Sequence, residues 1–105
     1  MADYQEFKTP SGVVVQVRQR TYPEWEENEL NRMACADKIS SAEKGGDHTA
    51  LLEGQRLYHN LRGARLTLWV KDWEKVKKGG ISLGDVNAIE KHCLALENGE
   101  ISEKN

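Results

Sequence analysis

His92 and Cys93 are the one place in the chain where an imidazole and a thiol are sequence neighbours, and Cys35, His48 and His59 are the other residues suited to nucleophilic or soft-metal chemistry. A cysteine nucleophile needs a base within hydrogen-bond reach and a third group to orient that base. On a helix, consecutive side chains project about 100° apart. One of the pair then faces the core and the other solvent, which reads as a core thiol beside a surface histidine. Structural zinc needs three or four convergent ligands, and neither a C-x-x-C nor an H-x-x-x-H spacing occurs. The carboxylates Glu24, Glu26, Glu27 and Glu29 could hide an acid/base pair, but at a helix start they compensate the positive end of the dipole. Gly79, Gly80 and Gly84 follow a helical pattern rather than a strand, so they form neither a P-loop nor a dinucleotide fingerprint. No catalytic residue, cofactor or metal is expected, and the chain reads as a non-enzyme.

From Arg62 to Lys78 six basic residues (Arg62, Arg65, Lys71, Lys75, Lys77, Lys78) stand against Asp72 and Glu74, a net of +4, with Trp69 and Trp73 interleaved. Such a segment can neutralise phosphates and stack on bases. Lysines at a helix C-terminus and tryptophans at spacing four are equally what dipole compensation and a packing stripe require. The overall charge of −2 and a pI near 5.9 provide no long-range field for nucleic acid or anionic membrane. A nucleic-acid-binding accessory protein using residues 62–78 is therefore an alternative rather than the leading reading.

At 105 residues the chain suits one domain with a modest core, and a charged fraction of 30% makes that core thin. Two widely separated cysteines are expected to be reduced. The acidic, polar start lacks the basic and apolar regions of a signal peptide, and no apolar run approaches the roughly 20 residues of a membrane span. A cytoplasmic, non-membrane protein is expected.

The spacing predicts an α+β fold: an N-terminal β-hairpin followed by three helices, the middle one long. Tyr4 to Thr9 and Val13 to Arg18 flank Thr9-Pro10-Ser11-Gly12, where proline presets a turn and glycine accepts positive φ. Val13, Val15 and Val17 share one apolar face, with Phe7 as cross-strand companion. A lone ribbon is marginal, so that face must dock, and its edges are open for pairing. Thr21 caps a first helix over about 23–43 with Pro23 in its first turn. Tyr22, Trp25, Leu30, Met33, Ala34 and Ala36 spread over one side of it, and Cys35, Ile39 and Ala42 fall nearly opposite. Gly45-Gly46 ends it.

Asp47 and Thr49 compete to cap a second helix over about 49–76, which at 1.5 Å per residue spans about 40 Å. Gly54 and Gly63 weaken it, with a break possible near Gly63. Lys78-Gly79-Gly80 ends it. Ser82 and Asp85 read as a capping-box variant, with Ile81 and Val86 as a staple. The last helix covers about 83–97, burying Leu83, Val86, Ile89, Cys93 and Leu96, and residues 100–105 form a frayed tail.

Phe7-Lys8-Thr9-Pro10-Ser11-Gly12-Val13-Val14-Val15-Gln16-Val17-Arg18, followed by Thr21-Tyr22-Pro23-Glu24 and then helices, resembles the tail assembly chaperones of long-tailed bacteriophages. Trp73 and the segment Gly80-Ile81-Ser82-Leu83-Gly84-Asp85-Val86 resemble the C-terminal part of such proteins, so the likeness covers about two thirds of the chain. It implies a non-enzymatic factor in the host cytoplasm that binds the tape-measure protein, helps recruit tail-tube subunits and tends to self-associate. Another small phage or bacterial adaptor or inhibitor is the alternative within the same class. Aromatic residues dominate binding hot spots. The expected protein-binding residues are accordingly Trp25, Leu66, Trp69 and Trp73 on the helices, with Val13 and Val15 on the hairpin. A dry indole within the folded chain would remove this role for that residue.

Overall fold

The computed structural model describes residues 3–100. An antiparallel hairpin, β1 (Gln5–Lys8) and β2 (Val14–Val17), precedes four helices: α1 (Tyr22–Gly45), α2 (His48–Trp69), α3 (Trp73–Lys78) and α4 (Leu83–Glu97). The frayed tail expected beyond Glu100 lies outside the described residues. The chain gathers into two compact units, residues 3–20 with 66–100, and residues 21–65.

In the first unit the Thr9–Gly12 turn closes through a hydrogen bond from the Gly12 N–H to the Thr9 carbonyl (2.9 Å), and Gly12 takes φ +93°, open to glycine without a Cβ penalty. The Thr9 hydroxyl accepts from the Val13 N–H (3.0 Å). Phe7 pairs with Val15 as expected, and Val15 and Val17 face inward. They meet Leu66, Trp69, Val70, Trp73, Ile89, Cys93 and Leu96 in one core cluster, against which Phe7, Val76, Ile81 and Val86 also pack.

The helix expected over 49–76 is two helices, and the break lies at Val70–Asp72 rather than near Gly63. Val70 leaves the helix to bridge Val17 in antiparallel fashion. The Arg18 N–H donates to the Trp69 carbonyl and the Lys71 N–H to the Gln16 carbonyl, both at 2.9 Å. The outer edge of β2 thus engages the end of the helix through a single antiparallel bridge. Asp72 then turns the chain with φ +56°, a left-handed conformation that aspartate tolerates better than most residues. With that break α1, at 24 residues, is longer than α2, at 22.

Local capping chemistry sets the other boundaries. Thr21 and Glu24 form a complete capping box: the Thr21 N–H donates to Glu24 Oε1 (2.8 Å) and Thr21 Oγ1 accepts from the Glu24 N–H. Gly46 ends α1 at φ +69°, and Asp47 rather than Thr49 caps α2, accepting from the Ala50 N–H (3.0 Å). Ser82 caps α4 by accepting from the Asp85 N–H (3.1 Å). Asp85 does not complete a box there. Its Oδ1 instead accepts from the Ser11 N–H at the hairpin turn (3.1 Å), and the side chain is 1% exposed. Leu83, expected to be buried, is 69% exposed because it lies about 120° around the helix from Ile89.

The hairpin and the segment that follows it are fastened along α4 at three levels. Asp85 holds the turn. In the middle, the His92 ring stacks on Phe7 (centroids 4.3 Å apart) while the Gln5 amide donates to its Nε2 (3.1 Å). At the end, Arg20 meets Glu97.

The second unit is an α-hairpin with a narrow seam. Cys35 and Ile39 are half-buried, and only Ala42 and Gly54 of the unit are buried. The seam is narrow because Gly54 lies against Ile39: a Cβ built there would come within 2.9 Å of Ile39 Cγ1. Nothing lies within 4 Å of a Cβ on Gly63. Two glycines of one helix should therefore respond oppositely to alanine. Gly63→Ala is expected to raise stability by about 0.5–1 kcal/mol through helix propensity. At Gly54 the same gain is outweighed by overpacking against a stiff β-branched side chain, for a net loss of up to about 2 kcal/mol. Urea midpoints of the two variants check this.

Candidate protein-binding surface

The residues expected to bind a partner divide cleanly by burial. Trp69 is fully buried, Val15 and Leu66 are 3% exposed and Trp73 is 6% exposed. These four are core, which corrects their reading as a docking surface. Trp69 and Trp73 sit on either side of the helix break, where the capture of Val70 by β2 turns both indoles inward, and alternation along β2 does the same for Val15. Trp25, at 42%, and Val13, at 37%, remain exposed. Val13 lies at the end of the turn, outside the paired strand.

Trp69 belongs to a buried polar cluster that sequence reading missed. Its indole Nε1 donates to Glu97 Oε2 (2.7 Å). Arg20 donates to the same oxygen from its backbone N–H and from Nε (both 2.9 Å), and from a terminal nitrogen to Oε1 (2.7 Å). The guanidinium also lies over the Trp69 ring, 4.6 Å from its centroid. Side-chain exposure is 4% for Arg20 and 14% for Glu97. Burial alone would push the Glu97 carboxyl upward, but the hydrogen bonds from Arg20 and Trp69, aided by the Arg20 charge, outweigh it and hold the carboxyl below its ordinary value. A glutamate in the last turn of a helix opposes the dipole, so Arg20 also relieves an unfavourable placement. No motif signals this cluster, because its charged partners stand 77 residues apart.

His92 and Cys93 diverge as expected of helix neighbours. His92 stacks on Phe7, and burial lowers its pKa. Burial pushes the Cys93 thiol up to about 12, so it stays protonated and unreactive near neutral pH. Among the described residues no group of three or more His, Cys, Asp or Glu is placed to hold a metal ion, and no helix is long and apolar enough to cross a membrane.

The surface that remains is on the second unit. Seven of the twelve exposed large hydrophobic residues among those described lie in its two helices: Tyr22, Trp25, Leu30, Met33, Leu52, Leu57 and Tyr58. On α1 the spacing of Tyr22, Trp25 and Met33 puts them on one face, flanked by Leu30. The Tyr22 and Trp25 rings are in tilted contact with centroids 5.7 Å apart, which holds Trp25 in place. Glu26 and Glu29 fall on this same face, and Glu29 is held by Arg32 (2.9 Å). The seam that pairs α1 with α2 uses the other apolar stripe of α1, Cys35, Ile39 and Ala42. The split stripe thus has one half engaged and one half exposed.

Comparison with family models, curated proteins and solved structures yields no match to this chain.

Proposed function

We propose that the chain is a non-enzymatic assembly chaperone of the kind that serves long-tailed phage tails, acting in the host cytoplasm by holding the helical tape-measure protein for addition of tail-tube subunits. The observation that carries this reading is the mismatch within the second unit: its seam buries only Ala42 and Gly54, yet its helices expose seven large hydrophobic side chains. Large apolar side chains left exposed on a helical pair are a surface for another helix. The aromatic pair Tyr22 and Trp25 gives that surface an anchor, and the flexible Met33 adapts it to an irregular apolar stripe. Glu26 and Glu29 on the same face favour a client with basic residues beside its apolar positions. The hairpin and its P-S-G turn, which carry the resemblance to that family, serve to brace the first unit.

Co-expression with a tape-measure protein tests the proposal. The client should become soluble and co-purify with the chain. Trp25→Glu combined with Met33→Glu should abolish co-purification while leaving the thermal midpoint of the chain within about 2 °C, because surface changes away from packed sites cost little. A client equally insoluble with and without the chain would count decisively against the proposal.

A further inference from the structure

The two edges of the hairpin differ. The Thr9 N–H donates to the Val13 carbonyl, and Phe7 pairs with Val15 and Gln5 with Val17 in the same register. In an antiparallel ladder alternate residues direct their N–H and C=O groups toward the partner, so Gln5, Phe7 and Thr9 point theirs at β2, and Glu6 and Lys8 point theirs away. On β2 the outward groups belong to Val14, Gln16 and Arg18, and the Trp69–Lys71 segment takes the Gln16 carbonyl and the Arg18 N–H. That edge is engaged along its C-terminal half. On β1 no group among the described residues bonds to the outward N–H and C=O groups of Glu6 and Lys8, and both residues are exposed. Their side chains lie opposite Gln16 and Val14 within the hairpin, so neither charge meets an opposite charge across the ladder.

We propose that this edge pairs with the same edge of a second copy, antiparallel about a two-fold axis at Phe7, so that Glu6 of each copy lies opposite Lys8 of the other. The geometry and the charges select the same register. With Phe7 opposite Phe7, the outward-pointing residues Glu6 and Lys8 face each other in hydrogen-bonded pairs, which gives four main-chain hydrogen bonds. The same register gives two opposite-charge cross-strand pairs. Slipping by two residues sets Glu6 against Glu6 or Lys8 against Lys8, and slipping by one turns Phe7 to the wrong face. Charged residues on an edge strand ordinarily deter pairing. The order Glu-x-Lys deters every register but this one, in which it is self-complementary as a two-fold contact requires. Two hairpins then form one four-stranded sheet. This inference does not rest on the client-binding reading, which uses other residues.

Sedimentation velocity of the full chain over a wide concentration range tests it, with amide exchange as a site-resolved readout. A monomer–dimer equilibrium is expected, with the Glu6 and Lys8 amides slowing as dimer forms. Glu6→Lys and Lys8→Glu should each weaken self-association by about 10-fold or more, since each sets like charges in both cross-strand pairs. An equimolar mixture of the two variants should restore dimer, because every pair is again of opposite sign. A monomer at all concentrations overturns the proposal. So does a dimer that both single variants leave intact, or a mixture that fails to associate better than its components.

Discussion

Replacing Glu97 with alanine should lower the unfolding free energy by about 3–5 kcal/mol, the cost expected when one partner is taken from a buried ion pair. The loss exceeds that of a surface pair because Glu97 is the common acceptor of three donor groups on Arg20 and of the Trp69 indole, and Arg20 is 4% exposed. Without the carboxylate, a guanidinium stays charged and nearly dry over the Trp69 ring. Guanidinium melts of the wild type and the variant measure the difference. Replacing Arg20 and Glu97 together by methionine and leucine should cost less than either single change, since no lone charge is then left buried.

The same pair sets a dependence on acid. The Glu97 carboxyl titrates below its ordinary value when folded, so its contribution is fully present above the ordinary glutamate pKa of about 4.3 and is lost as pH falls from there through the folded value. Glu97→Gln should flatten the stability profile in that acid window and leave its shape near neutrality unchanged.

Trp69→Ala should be as damaging, at about 3–5 kcal/mol, through cavity formation at the centre of the cluster and loss of the indole donor. In a domain whose total stability is about 5–15 kcal/mol, such a loss leaves the first unit barely folded, with a thermal midpoint lowered by more than roughly 10 °C. Trp69→Phe separates the two contributions: it keeps most of the ring volume and removes the 2.7 Å bond to Glu97, so it should cost about 1–3 kcal/mol. Trp25→Ala, on the exposed face of α1, should lie within about 0.5 kcal/mol of wild type. Circular-dichroism melts of the three variants rank them, and that ranking distinguishes a core indole from a surface one.

The contrast between Trp69 and Trp25 shows what the sequence makes legible. Turn and cap chemistry is local, so the Thr9–Gly12 turn, the Thr21–Glu24 box and the Ser82 cap are readable from residue types at fixed spacing, and α4 is found at the predicted bounds. The break at Val70–Asp72 is not readable, because no glycine or proline stands there. The free edge of β2, more than fifty residues upstream, extracts Val70 from a segment with good helical periodicity. The same event decides the fate of Trp69 and Trp73. Their spacing of four marks an aromatic stripe but does not reveal whether it faces a partner or the interior. The split stripe of α1 is visible from periodicity alone, whereas which half pairs with α2 depends on Gly54 meeting Ile39.

Hydrogen exchange of the full chain, alone and with the tape-measure protein, tests the central claim most directly, because it reports where a client sits without altering a residue. The account predicts that added protection is concentrated in the segments bearing Tyr22 to Met33 and Leu52 to Tyr58, while residues 66–100, which carry Trp69, Trp73 and Glu97, keep the rates of the free chain. Protection gained in the first unit alone, or in neither, would contradict it.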